Sequence, residues 1–123
     1  MHQGDMRMNK RQTGADQEVL AAAWLEKQGL RILEKNYRCR QGEIDLIARD
    51  GRYLVFVEVK YRKGIHTGHP SEAVDLRKQR KISRAALYYC YEHRIPETQA
   101  CRFDVVSILD DKIEHIRDAF AYI

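Results

Sequence analysis

The pattern of apolar and polar positions along the chain predicts two helices and four or five strands. Alanine and leucine recur over residues 13–28 and predict a first helix, because both residues are strong helix formers. Residues 30–38 predict a strand. A longer helix is predicted over residues 71–93, with Ser71 as its N-cap. Residues 101–109 predict a further strand, to which the next apolar residues add a short partner.

A β-hairpin is predicted between the first strand and the second helix. Residues 43–48 and 53–61 are largely apolar, and β-branched and aromatic side chains dominate the second run. Asp50 and Gly51 lie between the two runs, and Asp-Gly in such a position is a strong hairpin signal. The sequence therefore predicts two antiparallel strands with Asp50 and Gly51 as the turn residues.

Several charged side chains share one face of this predicted hairpin. With that turn, Glu43 lies opposite Glu58, and Asp45 lies opposite Phe56. Because side chains alternate between the two faces of a strand, the first face carries Glu43, Asp45, Ile47, Leu54, Phe56, Glu58 and Lys60. The other face carries only apolar residues, namely Ile44, Leu46, Ala48, Val55, Val57 and Val59.

This arrangement of carboxylates favours a divalent-metal site. Like charges facing each other destabilise a sheet, and carboxylates beside apolar side chains lose hydration. A cation such as Mg²⁺, which prefers oxygen ligands, would offset both effects. Asp45 and Glu58 can point at one ion, and Lys60 can reach a water or phosphate beside it. The alternative is a solvated face with ion pairs, but apolar residues surround Glu58. For Glu43, a role in the site and a flanking position both stay open.

The second predicted helix carries a basic stripe about 100° from its apolar stripe on a helical wheel. Aligned arginines beside tyrosines suit a nucleic-acid backbone, because guanidinium groups bind phosphates. A solvated basic face is the common alternative. The stripe consists of Arg77, Arg80, Arg84, Tyr88 and Tyr91.

Four further charged residues complete the candidates. Lys81 lies between the two stripes and is counted among the nucleic-acid-binding residues, as is Lys78. Lys78 falls within the apolar stripe, so it either extends to the solvent edge or reaches the carboxylates. Glu18 in the first helix either joins the metal site or interacts with the helix dipole. Asp104 is predicted to form a structural ion pair.

Length and net charge predict the number of domains and the class of partner. The chain has 123 residues and a net charge of +4, which predicts one domain over residues 13–123 after a flexible leader over residues 1–12. A basic domain leans toward polyanionic partners. No apolar run approaches the ~20 residues that span a bilayer, and the first residues lack a signal-peptide pattern. We therefore expect a cytoplasmic protein without membrane contact.

The cysteines and loop histidines predict no metal site of their own. Three widely spaced cysteines without a CxxC pair favour reduced thiols over a zinc site or disulfides. His66 and His69 are interpreted as loop residues, since HxxH outside a helix is a weak metal signal.

Taken together, the motifs resemble a known family. The order and spacing of five patterns over residues 14–109 are similar to those of the bacterial YraN family of small predicted endonucleases. The patterns are Gly14-x-x-x-Glu18, Asn36-x-Arg38, GEIDLIA at 42–48, VFVEVK at 55–60 and RFDV at 102–105.

The resemblance implies an α/β fold of the restriction-endonuclease-like class, with helices flanking a mixed sheet in an αβββαβ core. Asp45 and the run from Glu58 to Lys60 match that superfamily's D…(D/E)xK signature. The match implies that Asp45, Glu58 and the Val59 carbonyl bind Mg²⁺ or Mn²⁺, and that Lys60 orients or polarises the attacking water. Glu18 matches the first-helix glutamate of resolvase-like members.

Three functional hypotheses follow. The first is a metal-dependent phosphodiesterase that acts on nucleic acid, with DNA favoured over RNA and with branched or junction DNA as one candidate substrate, for which two active sites favour a symmetric homodimer. The second is a non-catalytic nucleic-acid-binding module that acts with a partner protein. The third is a structural or interaction domain. The intact set of Asp45, Glu58 and Lys60 favours the first.

Overall fold

A computed structural model describes residues 10–62 and 74–123, with side chains from Asp16 onward. The predicted order of elements is confirmed, and the fold is α/β. Ser71 and the two loop histidines, His66 and His69, lie outside the described residues, as do residues 1–9 of the predicted leader. The elements are α1 (Lys10–Lys27), β1 (Arg31–Cys39), β2 (Gly42–Asp50), β3 (Tyr53–Arg62), α2 (Leu76–Glu92), β4 (Cys101–Leu109) and β5 (Lys112–Phe120).

The five strands form one mixed sheet in the order β1-β2-β3-β4-β5. Strands β1 to β3 are antiparallel neighbours, as are β4 and β5, whereas β3 and β4 are parallel. Parallel neighbours need a crossover connection, and α2 lies within that connection. Strand β3 is therefore the centre of the sheet, with a hairpin partner on one side and a parallel partner on the other.

The sheet is covered on both faces by apolar clusters. One cluster, which we call the α1-side core, joins Leu25 of α1 to Val57 and Val106 of the sheet. The other, the α2-side core, joins Phe56 to Ile82 and to other apolar residues of α2. Residues 54–57 of β3 are buried completely, so their side chains fill both cores in alternation.

The predicted hairpin is present, but its register differs by two residues. Asp50 pairs with Tyr53, so the turn residues are Gly51 and Arg52 rather than Asp50 and Gly51. Gly51 has φ 60°, which suits glycine at the first position of a tight hairpin turn. An Arg102 ion pair with Asp50 at 2.9 Å favours a position of Asp50 within the strand.

This register corrects the predicted cross-strand neighbours. Phe56 pairs with Ile47, not with Asp45, and the paired part of β2 and β3 ends at Leu46 and Val57. Glu43 therefore does not pair with a residue of β3 among these partners. A shift of two residues preserves the face on which each paired side chain lies, because the side-chain period is two. Along the paired residues, Ile47, Leu54 and Phe56 therefore share one face as predicted, and Leu46, Ala48, Val55 and Val57 share the other.

Helix α2 begins later than predicted. Its N-cap is Asp75, whose side chain accepts a hydrogen bond from the Lys78 N–H at 2.9 Å. Aspartate is among the best N-cap residues, since it satisfies an N–H group that the helix leaves unpaired. The predicted cap at Ser71 is therefore wrong. The end of the helix at Glu92 agrees with the prediction to one residue.

Asp104 is the charged residue that organises the β4–β5 end of the sheet. Its carboxylate is fully buried and accepts hydrogen bonds from Arg102 at 2.9 Å and from the Asp118 N–H at 2.9 Å. His115 lies 2.7 Å away from the same carboxylate. Burial opposes ionisation of Asp104, but these hydrogen bonds outweigh it and hold its pKa below the usual value. The expected structural ion pair is thus present.

Replacing this carboxylate should destabilise the fold. We expect Asp104→Asn to lower the free energy of unfolding by about 3–5 kcal/mol, because it removes the fully buried charge that pairs with Arg102 and His115 and leaves Arg102 with the more exposed Asp50 as its partner. Urea unfolding at neutral pH measures the loss. Because the folded pKa is lowered, the contribution is lost as pH falls, so the difference between wild type and variant should shrink in acid. Asp111→Asn in the exposed β4–β5 turn is the control and should change stability by less than about 0.5 kcal/mol. An equal loss in both variants would contradict the role of Asp104.

Candidate active site

The candidate site forms where β2 separates from β3. The β2–β3 pairing ends at Leu46 and Val57. Beyond it, the Val59 N–H donates a hydrogen bond to Oδ2 of Asp45 at 2.8 Å, in place of a backbone contact between the strands. Ile44 packs in the α2-side core, so its predicted place on the opposite face is wrong. The regular alternation of side chains is interrupted at Asp45, and this interruption opens the sheet beside Glu58.

Glu58 is the buried carboxylate of the site. Its side chain is only 6% exposed, and its Oε2 lies 3.6 Å from Lys78 Nζ and 3.9 Å from Lys60 Nζ. The two lysine side chains are 39% and 33% exposed. Lys78 therefore reaches the carboxylates, which decides between its two predicted orientations. Two ammonium groups face outward beside a buried anion, an arrangement that suits a phosphate group of a ligand.

Glu18 of α1 approaches Asp45 from the other helix. Its pKa is raised to about 7 by burial and then by the charge of Asp45 and a hydrogen bond to it, while a hydrogen bond from Asn36 opposes the rise. Oε1 of Glu18 is buried without a hydrogen-bond partner among the described residues. Glu43 is exposed and adds a smaller electrostatic effect on Glu18. Glu43 therefore flanks the site.

The electrostatics of the site are those of crowded carboxylates. The pKa of Glu58 is raised to about 7, first by burial and then by the charge of Asp45, although Lys78 and Lys60 oppose the rise. Of the three neighbouring carboxyl groups, two therefore have a pKa of about 7, well above the ordinary range for glutamate. Such perturbed groups cluster where proteins bind metals or perform acid–base chemistry.

The residues present fit a divalent cation with few protein ligands. Within residues 10–62 and 74–123, no group of three or more His, Cys, Asp or Glu side chains is placed so that it could hold a metal ion. Mg²⁺ usually takes one or two carboxylates and keeps several waters, so Asp45 and Glu58 suffice. The unpartnered oxygen of Glu18 and the raised pKa values are what a cation would relieve.

Sequence comparison identifies the family. The model of Uncharacterised protein family UPF0102 matches residues 17–108. The chain belongs to the UPF0102 family. This is the YraN family, so the resemblance inferred from the motifs is confirmed.

Curated UPF0102 relatives cover nearly the whole chain. The UPF0102 protein of Lachnoclostridium phytofermentans is 51% identical over 113 residues, which is 92% of this chain and 96% of the relative. The UPF0102 protein of Geobacter metallireducens is 48% identical over 120 residues, which is 94% of this chain and 97% of the relative.

In residues 10–62 and 74–123, no helix combines the length and the apolar character needed to cross a bilayer.

The predicted site residues fall into two groups. Glu18, Asp45, Glu58 and Lys60 converge, and Val59 joins them through its N–H, while the ligand role of its carbonyl stays a prediction. The predicted nucleic-acid-binding residues, apart from Lys78, are exposed along α2, namely Arg77, Arg80, Lys81 and Arg84.

Asn36 is a residue of the site whose contact the sequence did not predict. Asn36 hydrogen-bonds Glu18 and lies in β1 with φ 54°, a left-handed conformation that asparagine tolerates better than most residues. The Asn36-x-Arg38 pattern pointed to this position, but the polar residue in a strand did not by itself predict a contact with α1.

Neutralising Glu58 should stabilise the metal-free protein. The raised pKa means that the ionised Glu58 carboxylate is less favourable in the folded chain than in the unfolded chain. Glu58 therefore lowers the free energy of unfolding progressively as pH rises from about 4.5 to about 7. We expect Glu58→Gln to raise the Tm by roughly 5 °C at pH 8 in EDTA, since about 1 kcal/mol moves the Tm of a small domain by that amount. Thermal unfolding followed by circular dichroism measures the change.

The gain should shrink as pH falls from about 7 and vanish below about pH 4.5, where Glu58 is protonated in both the folded and the unfolded chain. Glu114→Gln, on the exposed part of β5, is the control and should leave the Tm unchanged. A lower Tm for Glu58→Gln at pH 8 would show that Glu58 is stabilised by its lysine partners.

Proposed function

We propose that the protein is a metal-dependent phosphodiesterase that cleaves DNA, including branched or junction DNA. The observation that carries this proposal is the convergence of Asp45, Glu58 and Glu18 beside the ammonium groups of Lys60 and Lys78. Carboxylates bind the cation, and exposed lysines attract the phosphate. Neither a structural domain nor a simple binding surface requires buried carboxylates at this cost in stability.

Asp45 and Glu58 would hold Mg²⁺ or Mn²⁺, with the Val59 carbonyl as a further ligand and Glu18 close by. When bound, such an ion lowers the pKa of water and neutralises charge on the scissile phosphate. The Val59 N–H fixes the Asp45 carboxylate at 2.8 Å, which orients it toward Glu58. That fixed orientation limits the reorganisation needed when substrate binds.

Lys60 and Lys78 have different parts in this proposal. Lys60 follows Glu58 by two residues on the same strand face, so its ammonium group can orient the attacking water and offset charge that develops on the phosphate. Lys78 comes from α2, lies nearer to Glu58 and offsets part of its charge. The symmetric homodimer and the preference for DNA over RNA stay predictions.

Metal binding is the first test of the proposal. We expect Mn²⁺ to raise the Tm, because a ligand that binds only the folded chain stabilises it by about 2.7 kcal/mol at a hundredfold excess over Kd. EDTA should reverse the rise. Asp45→Asn should abolish it, whereas Asp111→Asn should retain it. A rise of equal size in Asp45→Asn would exclude the proposed ligand.

Cleavage is the second test. Purified protein with Mn²⁺ should cleave a labelled four-way junction, with the matched linear duplex run beside it. Asp45→Asn and Lys60→Ala should each reduce the rate by about 100-fold or more, the usual scale for removing a group that stabilises the transition state. Lys35→Ala, an exposed lysine of β1, is the matched control. Absence of cleavage with DNA binding retained would favour the non-catalytic module that acts with a partner.

A further inference from the structure

The exposed face of α2 carries a continuous stripe that begins beside the candidate active site. Its residues are spaced alternately by four and three positions, which places them on one face of a helix. All of them are exposed, and the series changes from cationic to aromatic along the helix. This exposed stripe consists of Arg77, Lys81, Arg84, Tyr88 and Tyr91, so it contains Lys81 in place of the Arg80 of the predicted basic stripe. Lys78, the neighbour of its first member, contacts Glu58.

Two tyrosines at the far end of the stripe are exposed without an explanation in the fold. Tyr91 is 80% exposed and Tyr88 is 39% exposed, and their ring centroids are 6.4 Å apart with the planes tilted by 36°. They line an open cavity of about 530 Å³ together with Gln41, Arg84 and Leu87. None of the five lining residues is acidic, so the cavity suits a planar group attached to an anion.

The β1–β2 turn forms the other wall of this cavity. A Cβ atom added at Gly42 would lie 3.3 Å from the backbone oxygen of Lys81, so the turn rests directly on α2. The absence of a side chain at Gly42 permits this close approach. The approach brings Gln41, which precedes Gly42, beside Arg84 and the tyrosines. Its amide offers both donors and an acceptor to the edge of a ligand.

We propose that this cavity binds one unpaired nucleobase, while Arg77, Lys81 and Arg84 hold phosphates of the same strand. The inference rests on the proposed function and deepens it, because it names a substrate with a single-stranded segment. Aromatic side chains stack on any base, and such stacking contributes about 1–3 kcal/mol per base. A paired base within a duplex offers only its edges, so it cannot stack its face on a tyrosine ring.

The length of the stripe sets a spacing for the substrate. Tyr88 follows Lys78 by ten residues, which is about 15 Å along the helix axis at 1.5 Å per residue. Stacked nucleotides advance by about 3.4 Å each along one strand. The unpaired base should therefore lie about four nucleotides from the phosphate at the candidate active site.

The test compares binding of a blunt duplex with binding of the same duplex carrying a single-stranded tail. Fluorescence anisotropy in EDTA measures both affinities without cleavage. We expect wild type to prefer the tailed duplex by about tenfold or more, as expected for one stacked base. The double variant Tyr88→Ala/Tyr91→Ala should lose this preference while keeping its affinity for the blunt duplex. 2-Aminopurine placed at successive tail positions should lose most fluorescence at the one position whose base stacks on the tyrosines.

Two controls make the comparison specific. Tyr88→Phe/Tyr91→Phe retains the rings and should retain the preference for the tail. Tyr122→Ala removes an exposed tyrosine outside the stripe and should also retain it. The inference is overturned if wild type binds both substrates equally, or if the double alanine variant keeps the preference. If the double alanine variant keeps the preference and also changes the oligomeric state of the DNA-free protein, the tyrosines form a protein interface instead of a base site.

The same proteins, assayed with Mn²⁺, separate this inference from the proposed function. Tail preference lost in the double alanine variant, without cleavage by any protein, would support the base site and reject the nuclease. Cleavage that depends on Asp45, with no effect of the tyrosines on tail binding, would support the nuclease and reject the base site.

Discussion

The hydrogen bond from the Val59 N–H to the Asp45 carboxylate is the contact on which the candidate site depends. It forms where β2 leaves β3, so a side chain replaces the next strand contact. A buried N–H group must have a partner, and here that partner is a carboxylate that stays beside Glu58. The Val59 N–H therefore keeps a hydrogen-bond partner where the two strands separate. The separation lets Glu18 of α1 and Lys78 of α2 approach the carboxylates from the two helices.

Two buried carboxylates of the same sheet illustrate different solutions to burial. Asp104 is paired with Arg102 and His115 and has a lowered pKa, so its charge is stable within the fold. Glu58 has lysines at 3.6 and 3.9 Å, yet its pKa is raised because burial and Asp45 dominate. The first holds the β4–β5 end together. The negative charge of Glu58 is not fully balanced by its neighbours in the protein, as expected of a binding site.

Local patterns predicted the elements of the fold well, and pairing details less well. The run of β-branched residues around Val57 and the Asp50-Gly51 turn predicted the hairpin, and charge alternation predicted that Asp45 and Glu58 meet. The two-residue shift in register could not be predicted, because it places Asp50 in the strand, where it forms an ion pair with Arg102, a residue distant in sequence. The choice between two orientations for Lys78 likewise needed the packing of α2 against the sheet. Residue periodicity carries no information on such long-range contacts.

The crossover through α2 has a consequence for how the site assembles. The β2–β3 hairpin is local in sequence, so Asp45 and Glu58 can meet early in folding. Lys78 reaches them only once α2 has docked and β4 has paired with β3, which are contacts of greater sequence separation and slower formation. The ammonium group nearest to Glu58 in the folded protein is therefore the last part of the site to arrive.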